Sequence, residues 1–140
     1  MFLNITIPLF FSLAVACHRN VEMCARCHMA LTPGDFHNTE ITYTNGVEAK
    51  FDSAICAIQM WQHPPAGSTP KQMLVHEYYS GTSRNADDIS FVQGSDVTGS
   101  MGDDFIAVAP ENLKKFQTDH GGKSFKLPEI KLDPMQGPTL

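Results

Sequence analysis

The sequence predicts an α+β protein built from two consecutive β-β-α-β units, each a small antiparallel sheet covered by one helix, the two packed together. Three observations lead to this. Residues 37–44 (HNTEITYT) alternate and are rich in β-branched side chains, and Asn45-Gly46 directly after them is the strongest short hairpin signal. A helical apolar stripe at positions 54, 57, 58 and 61 follows the return strand. The same order of strand, strand, helix and strand then recurs beyond residue 88. The halves share negligible sequence identity, so the repeat is one of pattern. Neither half, at about 50–60 residues, would bury much core alone, which is why the two are expected to share one.

Taken in order, Thr32-Pro33-Gly34-Asp35 supplies turn chemistry before the first strand. Val47–Phe51 is the return strand, and Asp52 or Ser53 can cap a helix through Trp61. Pro64-Pro65 ends that helix. Residues 73–79 (MLVHEYY) read as a third strand, and Ser80-Gly81-Thr82-Ser83 as a break. In the second round Ile89–Val92 is a strand, Gln93–Gly102 a glycine-punctuated loop carrying Met101, and Phe105–Val108 a short apolar strand. Pro110 suits the first turn of a helix over Glu111–His120 that turns Leu113 and Phe116 inward and leaves Lys114-Lys115 outside. Gly121-Gly122 stops it, and Lys123–Leu127 is the last strand.

The ends of the chain differ in kind. Residues 1–16 (MFLNITIPLFFSLAVA) are nearly all apolar and end in small residues before Cys17. Such a stretch falls short of the roughly 20 residues of a spanning helix and fits a cleaved export signal. Leu13-Ala14-Val15-Ala16-Cys17 is a loose lipobox, in which Cys17 would be lipidated and become the mature N-terminus; an ordinary signal cut near Ala16 is the other reading. The expected organisation is therefore a signal peptide at 1–16, a first unit at 17–80, a second at 81–133 and a flexible tail at 134–140. Export implies an oxidising compartment. A net charge of −5 without a Lys/Arg run argues against a nucleic-acid partner.

The chemistry concentrates in Cys24-Ala-Arg-Cys27-His28-Met29, two thiols, an imidazole and a thioether within six residues, with Met23 beside them. Soft sulfur donors at this density select Cu(I), zinc or iron–sulfur centres. The same letters spell C-x-x-C-H, the attachment signature of a c-type haem through Cys24, Cys27 and His28. Against haem, strands dominate and no helix is predicted before Cys24. A thioredoxin-like redox site would place the motif at the start of a helix, which is absent here. Setting Cys17 aside leaves Cys24, Cys27 and Cys56, an odd number that argues against a pure disulfide framework. Cys24 is open between a further ligand, a disulfide with Cys27 and a spare thiol. Cys56 lies on the apolar helix face and reads as core, its alternative being a thiolate of a structural zinc-type site. Met60 and Trp61 read as core, and His37, His63 and His76 as surface residues. Met101, set in a Gly/Ser/Asp loop rather than on an apolar stripe, reads as a ligand.

Read together, the motifs are similar to those of the NosL family, periplasmic copper-binding lipoproteins accessory to nitrous oxide reductase. The resemblance spans Cys17 to about Ile130 and is carried by Cys24-x-x-Cys27-x-Met29, Phe51-Asp52, Tyr78-Tyr79, the stretch 91–102 (FVQGSDVTGSMG) and 119–123 (DHGGK). It implies a lipid-anchored protein that is not an enzyme. The implied role is to deliver Cu(I) to the copper centre of nitrous oxide reductase together with a membrane ABC-type assembly complex. The ligands it implies are Cys27, Met29 and Met101, with Cys24 and His28 as further candidates. The chain departs from the family pattern at two places: His28 stands where glycine is usual, and Ser100 where proline is usual.

Overall fold

The computed structural model describes residues 21–100 and 102–133; the leader, Cys17, Met101 and the tail from residue 134 lie outside the described residues. The first sheet contains β1 (Thr39–Tyr43), β2 (Glu48–Phe51), β3 (Pro70–His76) and β4 (Ser83–Asn85), all antiparallel in the order β2-β1-β3-β4. Its helix α1 (Ala54–Gln62) lies between β2 and β3 in sequence. The second sheet has β5 (Ser90–Ser95), β6 (Ile106–Val108) and β7 (Gly121–Phe125) in the order β6-β5-β7, with α2 (Leu113–His120) between β6 and β7. The molecule is thus an α+β fold with two small antiparallel sheets, and the expected order of strand, strand, helix and strand is present twice.

Local sequence explains most boundaries. Gly46 takes φ 82°, which the tight β1–β2 turn requires, and Asn45 Oδ1 accepts from the Val47 amide at 3.0 Å. Ser53 caps α1 from an extended conformation, its Oγ accepting from the Cys56 amide at 3.2 Å. A second cap comes from the other unit: Asp104 Oδ1 accepts from the Ile55 amide at 3.0 Å. Three details differ from the sequence expectation. Ser83, read as the end of a break over Ser80–Ser83, opens an edge strand, Ser83–Asn85, which pairs with β3 and has no apolar alternation to reveal it. The third strand ends at His76, because the chain turns where the Gly81 amide donates to the Glu77 carbonyl at 2.7 Å. The last strand begins at Gly121 rather than Lys123: Gly121-Gly122 stop α2, as expected, and also open β7, so the helix runs into its strand without a loop.

One core holds the units together. Thr39, Ile41 and Tyr43 of β1 alternate inward with Met73 and Val75 of β3, and α1 covers them with Ala57 and Ile58. The same cluster includes Phe91, Phe105, Ala107, Leu127 and Ile130 of the second unit. On the opposite face of the second sheet, Val92, Ile106, Val108 and Phe116 form a smaller cluster under α2. Glu77 fastens the seam: its buried carboxylate accepts from the amides of Ser80 (2.7 Å) and Ala109 (3.3 Å) and from Asn112 Nδ2 (3.2 Å). The core lies behind the N-terminus of α1, and the chemistry gathers at that helix start.

Candidate metal centre

The chain enters through a tight hairpin. The Leu31 amide donates to the Glu22 carbonyl, Met23 pairs with Ala30, and the Cys24 amide donates to the Met29 carbonyl at 2.8 Å. This register sets Met29 opposite Cys24, so both side chains leave the hairpin on one face. At the tip the His28 amide closes on the Cys24 carbonyl at 3.1 Å, and His28 takes φ 61°, the left-handed region that favours glycine. Ala25 ties the hairpin to β2 by donating to the Lys50 carbonyl, and the Lys50 ammonium meets Glu22 at 2.6 Å.

Under this hairpin, where β2 becomes α1, the structure assembles four donors. The ligand atoms of Cys24, Cys27, Asp52 and Cys56 all lie within 4.8 Å of one another. Ser53 sets this up: as the cap it fixes the first turn, so Asp52 stands just before the helix and Cys56 three residues into it. Cys24 and Cys56 have no exposed surface, whereas Cys27 is half-buried and forms the rim. The Cys27 amide points at Cys24 Sγ (3.5 Å) and its thiol donates to Asp52 Oδ1 (3.3 Å). Arg26 Nη1 reaches to 4.0 Å from Cys56 Sγ. All three cysteines are free thiols.

The electrostatics single out one sulfur. The Cys56 thiol hydrogen-bonds Cys24 and, against the opposing effect of burial and with help from nearby backbone amides, lowers the Cys24 pKa to about 6. The same pairing, together with burial, pushes Cys56 up. Burial is the main reason that Cys27 is pushed up to about 11. For Asp52 burial raises the pKa, but hydrogen bonds from Cys24, Cys27 and Ser100 outweigh it and hold the carboxyl below its ordinary value. Hydrogen bonding within the cluster thus favours the thiolate form at Cys24 over its two neighbours and favours the carboxylate form of Asp52.

The predicted residues are placed as follows. Cys24 and Cys27 come together in the cluster. Met29 is 42% exposed beside the rim. His28 is exposed and is not one of the four clustered donors. Met101 and Cys17 lie outside the described residues, but the neighbours of Met101 are informative. Gly99 and Gly102 exchange backbone hydrogen bonds (2.7 and 3.1 Å), and Ser100 Oγ donates to Asp52 Oδ2 at 2.9 Å. Gly99 lies against Asp104, whose Oδ2 would be 2.7 Å from any Cβ placed there. Asp52, read as a cap, went unrecognised as a donor in the sequence, and Cys56, read as core, had a zinc-type thiolate only as its alternative. The available signal was their spacing: a cap residue at a strand-to-helix junction with a cysteine in the following turn. His37, read as a surface residue, is only 10% exposed and holds Asp35 at 2.8 Å.

Comparison with known proteins gives a consistent picture. The NosL family model matches residues 16–135 of the chain. Among solved structures, the crystal structure of the copper chaperone NosL from Shewanella denitrificans superposes with a TM-score of 0.65 at 21% identity, over 78% of this chain and 89% of that one. That likeness is one of fold. No curated protein matches the sequence.

Proposed function

The chain belongs to the NosL family, and from that premise we propose that it is a copper chaperone, an exported and lipid-anchored protein that carries Cu(I) and is not an enzyme. Copper is its cargo, held at the hairpin rim by Cys27, Met29 and Met101. The client in this reading is the copper centre of nitrous oxide reductase, reached in the periplasm with a membrane ABC-type assembly complex. Cys17 carries the lipid.

The observation that carries this reading is the bridge made by Asp52. One carboxylate oxygen takes the Cys27 thiol and the other takes Ser100. The segment bearing Cys27 and Met29 is thereby tied to the segment bearing Met101, although 70-odd residues separate them. A soft ion suits one thiolate with two neutral thioethers, and thioethers do not form disulfides in an oxidising compartment. Met29, exposed at the rim, leaves the cargo within reach of an acceptor. Covalent haem, by contrast, needs both motif sulfurs open to a porphyrin, and Cys24 is fully buried.

The test is transfer. Reduced protein titrated with Cu(I) against a competing chromophoric chelator should hold one tight equivalent, and Cys27→Ala should lose it. Met29→Leu and Met101→Leu should each weaken Cu(I) binding and so speed loss of the ion to the chelator, because each removes a soft ligand. Hand-over at the wild-type rate in both variants would remove the thioethers from the ligand set. In cells lacking the protein, nitrous oxide reductase with its full copper complement would remove the client.

A further inference from the structure

Asp52 joins the two halves of the site, yet Ser100 meets it only if the turn that carries Ser100 is itself fixed. We propose that Asp104 is the positioning residue for that turn. It seats residues 99–102 on the start of α1, delivers Ser100 to Asp52 and, through Asp52, braces Cys27. This deepens the copper-chaperone reading and rests on it.

Contacts on both sides define the seat. Asp104 is 1% exposed, a carboxyl group enclosed where the two units meet. Toward α1, its Oδ1 accepts from the Ile55 amide at 3.0 Å, and the same oxygen accepts from the Phe105 amide at 2.7 Å, which fixes its direction. Toward the loop it meets Gly99 without a gap: an added Cβ would lie 2.7 Å from Asp104 Oδ2 and 2.8 Å from Asp104 Cβ. Gly99 is not one of the glycines with positive φ, so close approach to Asp104, and not backbone conformation, is what requires glycine here. Gly99 and Gly102 close the turn by exchanging backbone hydrogen bonds, and Asp103 ties its stem to β5 by accepting from the Gly94 amide at 3.2 Å. Ser100 Oγ then stands 2.9 Å from Asp52 Oδ2, just ahead of the helix that Asp104 caps. Two carboxyl groups at the start of α1 therefore hold one turn, Asp52 by Ser100 and Asp104 by Gly99.

The seat works through one acceptor and the shape of the group. Among the described residues Asp104 Oδ2 has no hydrogen-bond partner. An oxygen buried in this way disfavours the ionised group. Burial is accordingly the main reason that the Asp104 pKa is raised, against the amides of Phe105 and Ile55 and the pull of His37. The turn needs Oδ1 and the volume of the side chain, both of which asparagine keeps.

Hydrogen exchange on the reduced, metal-free, mature protein reads the seat directly. Asp104→Ala should speed exchange of the Gly99 and Gly102 amides by about tenfold or more while the β5 amides keep their protection. Titration with Cu(I) against a chromophoric chelator reads the consequence. Asp104→Ala should lower affinity by about tenfold, the scale for a residue that orients a metal ligand from behind it. Asp104→Asn should stay near wild type in both measurements. Ser100→Ala should also weaken binding, and the double variant should be no weaker than Asp104→Ala alone, because a turn off its seat no longer brings Ser100 to Asp52. Should Asp104→Ala fail to fold, Gly99→Ala disturbs the same contact from the loop side and should produce the same changes. Wild-type exchange at both glycines or wild-type affinity in Asp104→Ala would overturn the role. So would losses in Asp104→Ala and Ser100→Ala that multiply in the double variant, or an Asp104→Asn variant as weak as Asp104→Ala. Wild type that binds no Cu(I) would sink the chaperone reading instead, and hydrogen exchange would still decide whether Asp104 holds the turn.

Discussion

The two β-β-α-β units follow one plan and diverge at two equivalent points. In the first unit the opening strands join through the tight Asn45-Gly46 turn; in the second, β5 and β6 are separated by the long glycine-rich segment that includes Ser100. At the helix start the first unit has Ser53 with its side-chain cap, followed by Cys56. The second enters α2 through a 3₁₀ turn, Pro110–Asn112, without a side-chain cap. One unit thus contributes a fixed helix start and the other a long loop, and the thiol cluster lies where they meet. A duplicated architecture has been specialised by exchanging which connection is short. The first unit holds donors in place, and the second brings a segment to them.

The largest predicted effect tests how rigid the second unit must be. Gly122 takes φ 88°, and a Cβ there would stand 2.6 Å from Val92 Cγ1 and 2.9 Å from the Gln93 carbonyl oxygen. Gly122→Ala should cost about 3 kcal/mol or more, a left-handed penalty added to overpacking against backbone. Gly46 in the first unit also has positive φ, 82°, but faces open space. Gly46→Ala should cost only the conformational term, about 1–2 kcal/mol. Urea midpoints of the two variants measure the difference, and equal midpoints would mean that α2 and β7 can part without strain.

Next is the seam. Glu77→Ala leaves the Ala109 amide and the Asn112 side chain without their acceptor and should cost about 2–4 kcal/mol. Burial raises the Glu77 pKa, but hydrogen bonds from Ser80, Asn112 and Ala109 outweigh it and hold it below the usual value. The sign follows from a depressed folded pKa. The stabilisation is complete above the unfolded glutamate value of about 4.3 and is lost as pH falls through the lower, folded value. Wild type should therefore lose more stability than Glu77→Gln on acidification through that window. Parallel acid titrations of the two would assign the acid sensitivity elsewhere.

Much of this was legible from residues. Period-two alternation in 37–44 with Asn45-Gly46, and the stripe through α1, are local signals, and the structure follows them closely. Edge strand β4 was illegible because Ser83-Arg84-Asn85 is held by backbone pairing to β3, which no side-chain pattern encodes. The site divides the same way. Cys24 and Cys27 announce themselves by spacing within one turn, while Asp52 and Cys56 join them only through long-range closure of the hairpin onto β2. A cysteine on an apolar helix face looks the same whether its neighbours are methyl groups or thiols. Cys56 is both: it packs in the core and completes the cluster.

A smaller effect compares the two helix starts. Ser53→Ala removes the acceptor of the Cys56 amide and should cost about 1 kcal/mol, while Asn112→Ala, which makes no capping bond in α2, should cost no cap energy. Asn112 also donates to Glu77, so its cost should instead vanish in a Glu77→Ala background. A double-mutant cycle on thermal melts separates the two. A Ser53→Ala loss below a few tenths of a kcal/mol would mean that Asp104, which caps Ile55, suffices alone.

The smallest effect concerns the tip of the hairpin. His28 holds φ 61°, a conformation that costs a residue with a Cβ about 1–2 kcal/mol. Glycine adopts it freely but loses more backbone freedom on folding, which returns roughly 0.5–1 kcal/mol. His28→Gly should therefore stabilise the protein only slightly, by about 0.5 kcal/mol, the small difference of those two opposing terms. The change also separates two roles for the side chain. His28 is exposed and stands apart from the four clustered donors, so the glycine variant should bind Cu(I) as wild type does, with an unchanged transfer rate. An affinity drop of tenfold or more with a stability gain would make the imidazole a ligand that rotates in when copper arrives, and the left-handed strain would then be the cost of keeping it at the rim.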